Sequence, residues 1–265
     1  MNSTGTTIGV AGLGLLGRGI AACCLAHGFR VLGYTQPDQP HEKAITYIDH
    51  AISDLIDRVG FDPGLAKTWH SKFEPVESLD SFSSCDFVIE SVVEDLASKR
   101  KVFDQIEEIV GPEVPVGSNT SSIPITQLQQ DRKNPGRFVG MHWAEPAHAT
   151  RFLELIRGER TSEETFEKVA VLAKRLGKEP SLVQRDVPGF IVNRIGYAMY
   201  REAAHMVTQG VADVETIDRS CRNAFGLWAA MCGPFRWIDI TGGPEFYAKS
   251  IERVLPTLCS ENEQL

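Results

Sequence analysis

Thr7-Ile8-Gly9-Val10-Ala11-Gly12-Leu13-Gly14-Leu15-Leu16-Gly17 decides the fold of this chain. A short apolar strand, Thr7–Ala11, runs straight into a G-x-G-x-x-G turn. The segment Leu15–His27 that follows is rich in Ala and Leu and stops at Gly28, as a helix does. A turn of this kind between strand and helix suits the pyrophosphate of a dinucleotide. Gly12 permits the tight turn, Gly14 lets phosphate approach the backbone, and Gly17 lets helix and strand pack closely. The first helical residues, Leu15 and Leu16, add unpaired N–H groups and a positive dipole end. Outside this context a glycine-rich turn would serve packing alone.

Further strands read at Arg30–Tyr34, Phe87–Ser91, Val114–Gly117, Phe138–His142 and Phe152–Ile156. Between them, Glu42–Val59, Leu96–Val110 and Thr165–Leu176 carry helical spacing; Ile45, Ile48, Ile52, Leu55 and Ile56 form one stripe. This alternation predicts an α/β fold, a Rossmann-like, mostly parallel sheet with helices on both faces. After Asp186-Val187-Pro188-Gly189 the strand signals almost vanish. Phe190–Gln209 reads as a long helix. Asp213 caps the next, which Gly226 is expected to end, and Pro244–Cys259 is the last, limited by Pro256. The expected organisation is a dinucleotide-binding Rossmann-like domain over residues 1–185 and a small all-α domain over 186–265.

Composition narrows the function. Of 265 residues, 42% are hydrophobic and 23% charged, enough apolar material for a substantial core. With 27 Lys and Arg against 35 Asp and Glu, the net charge is −8, which speaks against a nucleic-acid partner and against polybasic docking to a membrane. No stretch approaches the roughly 18 uninterrupted apolar residues of a transmembrane helix. The first residues lack a basic leader, so no secretory signal is expected. The six cysteines include no C-x-x-C pair and read as reduced thiols of a cytoplasmic protein.

The end of the second strand bears on the cofactor. A dinucleotide site usually places Asp or Glu there for the ribose hydroxyls. Here the sequence is Leu32-Gly33-Tyr34-Thr35, with Asp38 behind Pro37, and no Arg or Lys lies between Val31 and Glu42 to meet a 2′-phosphate. NAD is therefore expected in preference to NADP, with Thr35 a weaker ribose partner than an acid.

Oxidising an alcohol by hydride transfer needs a base for the hydroxyl proton, and a histidine oriented by a carboxylate suits the task near neutral pH. His142 closes one predicted strand and Glu154 lies in the next. If those strands pair antiparallel, both side chains reach one site. Taken alone, each would serve equally as a hydrogen-bonded structural residue.

The surrounding sequence resembles the L-3-hydroxyacyl-CoA dehydrogenase family along nearly the whole chain. The glycine turn continues as Gly17-Arg18-Gly19-Ile20-Ala21. The family's V-E-N-L-x-x-K is similar to Val93-Glu94-Asp95-Leu96-Ala97-Ser98-Lys99. Its S-N-T-S-S stands unchanged as Ser118-Asn119-Thr120-Ser121-Ser122, and its D-V-P-G-F-I-V-N-R as Asp186 to Arg194. Its G-x-H-F-F-N-P resembles Gly140-Met141-His142-Trp143-Ala144-Glu145-Pro146, and its later M-G-P-F resembles Cys232-Gly233-Pro234-Phe235.

The resemblance implies an NAD-dependent oxidoreductase acting on the 3-hydroxy group of an acyl-CoA thioester, in a homodimer. By position, His142 is the general base and Glu154 its partner. Ser121 hydrogen-bonds the substrate oxygen, and Asn193 lines the site from the helical domain. Glu94, Lys99 and Asn119 join the glycine turn and Thr35 at the cofactor. There are three departures. Thr35 replaces the usual acid. The sequence given lacks the basic tail common in the family. Most important, Glu145 stands where the family has a site Asn. An amide donates to a thioester or ketone oxygen, whereas an ionised carboxylate only accepts. Glu145 is therefore expected to be protonated, turned away, paired with Arg151, or reading a different substrate. A dehydrogenase of a non-CoA β-hydroxy compound and a non-catalytic dinucleotide-binding protein are the alternatives.

Overall fold

The computed structural model describes residues 5–36 and 39–260; Asp38 lies outside the described residues. The chain divides into two compact units, residues 1–191 and 192–265.

Unit 1 is built on one eight-stranded sheet. Its strands are Thr7–Ala11 (β1), Arg30–Tyr34 (β2), Phe73–Val76 (β3), Phe87–Glu90 (β4), Val116–Ser118 (β5), Phe138–Trp143 (β6), Phe152–Ile156 (β7) and Glu179–Val183 (β8), in the order β3-β2-β1-β4-β5-β6-β7-β8. Every neighbouring pair is parallel except β6 with β7. The helices are Leu15–Ala26 (α1), Glu42–Asp54 (α2), Leu65–Thr68 (α3), Leu96–Ile109 (α4), Ile125–Leu128 (α5) and Glu163–Arg175 (α6). The mostly parallel Rossmann-like sheet expected from the sequence is thus present.

Two cores follow from this layering. In one, Ile20 and Leu25 of α1, Ile48 and Ile52 of α2 and Leu172 of α6 pack on Ile8, Val10, Met141 and Leu155. In the other, Phe103 and Ile106 of α4 and Leu128 of α5 pack on Val88, Val116, Phe138 and Ile156. Burial on both faces explains the near-continuous apolar runs of the central strands.

The apolar pattern of the sequence does not predict β3 and β8. Both are edges of the sheet, both carry a proline (Pro75 and Pro180), and β8 is largely exposed. Proline removes a ladder donor and is tolerated at an edge, where the apolar signal is also weakest. The helix expected over Glu42–Val59 ends its α-helical part at Asp54 and finishes in a wider π turn, Leu55–Val59, closed by Gly60 at φ 86°.

Among its described residues unit 2 is all helical: Val192–Thr208 (α7), Val214–Ser220 (α8), Gly226–Ala229 (α9), Pro234–Ile240 (α10) and Gly243–Val254 (α11). Asp213 caps α8 as expected, accepting the Thr216 N–H at 2.8 Å. Gly226 does not end that stretch. Its backbone is helical (φ −60°, ψ −34°), and the path runs through a π turn into α9. Nor does the long helix begin at Phe190, whose φ of 50° is left-handed; it begins at Val192. Among the described residues no helix is long and apolar enough to cross a membrane.

Candidate active site

The glycine turn follows β1, beside the end of β4. Gly12 adopts φ 105°, and a Cβ there would meet the Ser91 carbonyl oxygen at 2.6 Å. A Cβ on Gly17 would stand 1.8 Å from the Gly12 carbonyl oxygen, so any side chain would force α1 off the turn. A Cβ on Gly14 would meet nothing within 4 Å. Gly14 is also the N-cap of α1, with no side chain capping the helix and no acid in its first turn. Two glycines are thus required by packing, and the third opens bare N–H groups to space. That combination fits the pyrophosphate of a dinucleotide. Leu15 and Leu16 begin the helix there, Leu15 exposed. A cleft of about 670 Å³ extends from Gly12 and Gly14 past Thr35 to Val92, Val93 and α4. Thr35 is buried, its hydroxyl 3.3 Å from Gln39 Oε1.

Beneath the turn after β4 lies a buried ion pair. Glu90, with no exposed surface, accepts from Lys99 Nζ at 2.8 Å, from the Val92 N–H at 2.7 Å and from Ser118 Oγ at 2.6 Å. Removing one partner of such a pair strands the other, at a cost of about 3–5 kcal/mol. Lys99 is 1% exposed and also lies 3.3 Å from Glu94 Oε2. It therefore sits under the site, holding two carboxylates, rather than on the cleft wall.

Glu94 in turn organises the Ser118–Ser122 turn. Its Oε1 accepts from the Ser121 N–H (2.8 Å), the Ser122 N–H (2.9 Å) and Thr120 Oγ1 (2.7 Å), and Ser121 Oγ lies 3.2 Å away. Burial acts to raise the Glu94 pKa. The Thr120 hydroxyl, the Lys99 charge and the two N–H groups outweigh it and bring the pKa down to about 2. Asn119 bridges strand ends, donating to Ser91 Oγ (3.0 Å) and accepting the Trp143 N–H at 3.0 Å.

His142 and Glu154 are direct partners in the antiparallel β6–β7 ladder, with His142 Nδ1 2.7 Å from Glu154 Oε2. Both are buried, and His142 packs edge-on to Phe152 and obliquely on Phe190. A carboxylate only accepts, so Nδ1 carries the proton of the pair and the lone pair of a neutral ring falls on Nε2. The other oxygen, Glu154 Oε1, accepts the Ile191 N–H at 3.0 Å. The Asp186–Ile191 segment is shaped for this contact. Asp186 accepts from the Thr126 N–H (2.6 Å) and hydroxyl (3.0 Å), and Gly189 and Phe190 turn the chain through left-handed φ values of 77° and 50°. For a buried phenylalanine that backbone is strained, and surrounding contacts must hold it. In the sequence this motif stands out only by family likeness; its bond to Glu154, made by a backbone N–H, carries no residue-type signal.

Glu145 does not pair with Arg151, which pairs with Glu179 instead. Its Oε1 accepts from the Tyr47 hydroxyl at 3.0 Å, and Arg18 lies 4.3 Å from the centre of the Tyr47 ring. Burial, then the hydrogen bond to Glu145 and its charge, push the Tyr47 pKa up to about 12, so the phenol stays a donor. His148 meets the same ring edge-on, its pKa lowered by burial. Lys178 Nζ holds the loop by donating to the Ala147 carbonyl at 2.6 Å, over the Trp143 ring. Neither Tyr47 nor Arg18 was singled out from sequence as a site residue. Tyr47 is 98 positions from Glu145, and only the packing of α2 beside the β6–β7 loop joins them. Asn193 is the second residue of α7, in unit 2.

A dinucleotide turn at the head of a Rossmann-like sheet, with a histidine–carboxylate pair on neighbouring strands of that sheet, defines the class of nicotinamide-dependent dehydrogenases. More particularly, the chain belongs to the 3-hydroxyacyl-CoA dehydrogenase family and is an NAD-dependent oxidoreductase. The model of its NAD-binding domain matches residues 7–187 and that of its C-terminal domain residues 189–253. The chain is 35% identical over 235 residues to 5-formyl-3-hydroxy-2-methylpyridine 4-carboxylate 5-dehydrogenase of Mesorhizobium japonicum, covering 89% of this chain and 75% of the relative. It is 38% identical over 210 residues to a "Probable 3-hydroxybutyryl-CoA dehydrogenase" of Deinococcus radiodurans, covering 79% and 75%. A crystal structure of a 5-formyl-3-hydroxy-2-methylpyridine 4-carboxylic acid 5-dehydrogenase, described as an NAD⁺-dependent dismutase, superposes with a TM-score of 0.90 at 32% identity, over 98% of this chain and 83% of that one.

The glycine geometry makes a paired prediction. Gly17→Ala is expected to destabilise the protein by more than about 1 kcal/mol through overpacking and to abolish NADH binding. Gly14→Ala is expected to weaken NADH binding while changing stability by about 1 kcal/mol or less. Thermal melts with NADH fluorescence titrations test it, and equal destabilisation by the two would contradict the assigned roles.

Glu94 yields a pH prediction. Its folded pKa lies below its unfolded value near 4.5, so its contribution is present above that value and is lost as pH falls toward about 2. Wild type is expected to be more stable than Glu94→Gln at pH 7, with the gap closing between pH 4.5 and 2. Urea denaturation across that range measures it; a gap constant with pH would contradict it.

Proposed function

We propose that this protein oxidises the hydroxyl of a small β-hydroxy compound that is not carried on CoA. When bound, NAD supplies the hydride acceptor. His142 Nε2 takes the hydroxyl proton, and Glu154 holds the ring in its tautomer and steadies the imidazolium that forms. Glu154 is itself fixed by the Ile191 N–H. Ser121, set by Glu94, hydrogen-bonds the substrate oxygen. Exposed apolar side chains of unit 2, such as Met231 and Phe235, support a homodimer.

The observation that carries the choice of substrate is the Tyr47–Glu145 hydrogen bond. It fixes a hydrogen-bond acceptor at the position where a family member acting on a thioester has an amide donor. Next to a developing oxyanion a carboxylate is unfavourable, whereas toward a hydroxyl or cationic group it is a partner. The TM-score of 0.90 to a dehydrogenase named for a pyridine carboxylic acid supports a substrate that is not a CoA thioester. The second reading, a 3-hydroxyacyl-CoA substrate, is favoured by the 38%-identical relative.

His142→Gln is expected to lower kcat by at least about 100-fold with little change in NADH affinity. Near-normal turnover would remove His142 from the mechanism.

Glu145→Asn separates the two substrate readings in kcat/KM measured over short 3-hydroxyacyl-CoA thioesters and free β-hydroxy compounds. On its own non-CoA substrate, loss of the charge-assisted bond is worth about 1.5–3 kcal/mol, a fall of roughly 10- to 150-fold. Activity on the CoA thioesters is expected to start low and to rise. Wild-type efficiency highest on a short acyl-CoA, and unchanged or improved by the substitution, would sink the non-CoA reading.

A further inference from the structure

The cleft beside the glycine turn carries a charge that its sequence neighbourhood does not. Thr35, Gln36 and Gln39, at and after the end of β2, line one part of it. Ser98, Lys101, Val102 and Gln105 line another; their spacing places them on one face of α4. Because β1 lies between β2 and β4 in the sheet, the end of β2 and the helix after β4 border the same space. Lys101 is exposed, and among the described residues it makes no ion pair within 4.0 Å. No Asp or Glu is among the described residues lining the cleft. Lys43, the first Lys or Arg after β2 in sequence, is not among the described residues that line it.

We propose that this cleft admits the 2′-phosphate of NADP(H) as well as the ribose hydroxyls of NAD(H), with Lys101 as the residue that reads the phosphate. The adenosine ribose of a dinucleotide held at such a glycine turn lies toward the end of the second strand. An acid there binds the 2′-hydroxyl and repels a phosphate. Thr35 does not repel it, and its hydroxyl and the Gln36 and Gln39 amides supply neutral hydrogen-bonding groups beside it. A lysine ammonium across the cleft supplies the charge, acting as a point charge on a phosphate as lysines commonly do. The expectation of NAD over NADP rested on the lack of a basic residue between Val31 and Glu42, and the fold brings one from about 60 positions further on.

The test is equilibrium binding without substrate, so it stands or falls apart from the substrate proposal. NADH and NADPH are titrated by calorimetry and fluorescence against wild type, Lys101→Met, Lys101→Arg and Thr35→Asp. Wild-type Kd values for the two cofactors are expected to lie within about 20-fold of each other. Lys101→Met is expected to weaken NADPH at least fivefold more than NADH, Lys101→Arg to keep NADPH binding, and Thr35→Asp to favour NADH. Adenosine 2′,5′-bisphosphate should show the same dependence on Lys101, and AMP should not. Lys101 is exposed, so circular dichroism should confirm an intact fold in its variants. A wild-type gap wider than about 20-fold, or a Lys101→Met effect equal for both cofactors, overturns the proposal.

Discussion

Residue 142 faces residue 154 because β7 turns back along β6, against the parallel direction of every other neighbouring pair in the sheet. An antiparallel ladder sets partner residues opposite one another with their side chains on the same face. The histidine–carboxylate pair is therefore set by the backbone pairing of the sheet rather than by a loop. The remaining machinery holds that pair. The strained turn at Gly189 and Phe190 delivers the Ile191 N–H to Glu154, and Asp186 anchors the turn to the start of α5. Strain at one phenylalanine is offset by two hydrogen bonds from Thr126 and by packing on His142.

A second layer braces the ends of β4 and β5. The buried Glu90–Lys99 pair fixes the first turn of α4 to the end of β4, and through Glu94 it fixes the Ser118–Ser122 turn. The Glu94 carboxylate is thus tied to a desolvated pair that water cannot compete for. Such a pair adds little net stability, because desolvating both ions offsets most of their attraction. Its effect is to hold the ends of β4 and β5 and the first turn of α4 in one arrangement.

Much of this was legible in the sequence where the signal was local. The glycine turn, the central strands and the amphipathic helices α2, α4 and α6 declare themselves by spacing. So did the pairing of His142 with Glu154 once antiparallel strands were supposed. The two edge strands escaped because proline and exposure erase the apolar pattern. Gly226 misled because glycine is only a weak helix breaker when flanking turns stay hydrogen-bonded. Family likeness alone puts Lys99 at the cofactor; its burial sets it one layer below. Tyr47 as the partner of Glu145 was out of reach, since no periodicity links α2 to the β6–β7 loop. The Ile191 contact was equally hidden, because every residue has an N–H.

The β6–β7 loop is fastened separately from the ladder that precedes it. Lys178 ties it to the body of the unit, and Tyr47 holds its carboxylate. Insertions or exchanges between residues 144 and 151 leave the register of His142 and Glu154 untouched, whereas one residue lost inside either strand would turn a partner to the opposite face. In the proposed function, selectivity and proton transfer are consequently separable under mutation. A lineage built on this sheet can trade one substrate for another through the loop while its chemistry is inherited unchanged.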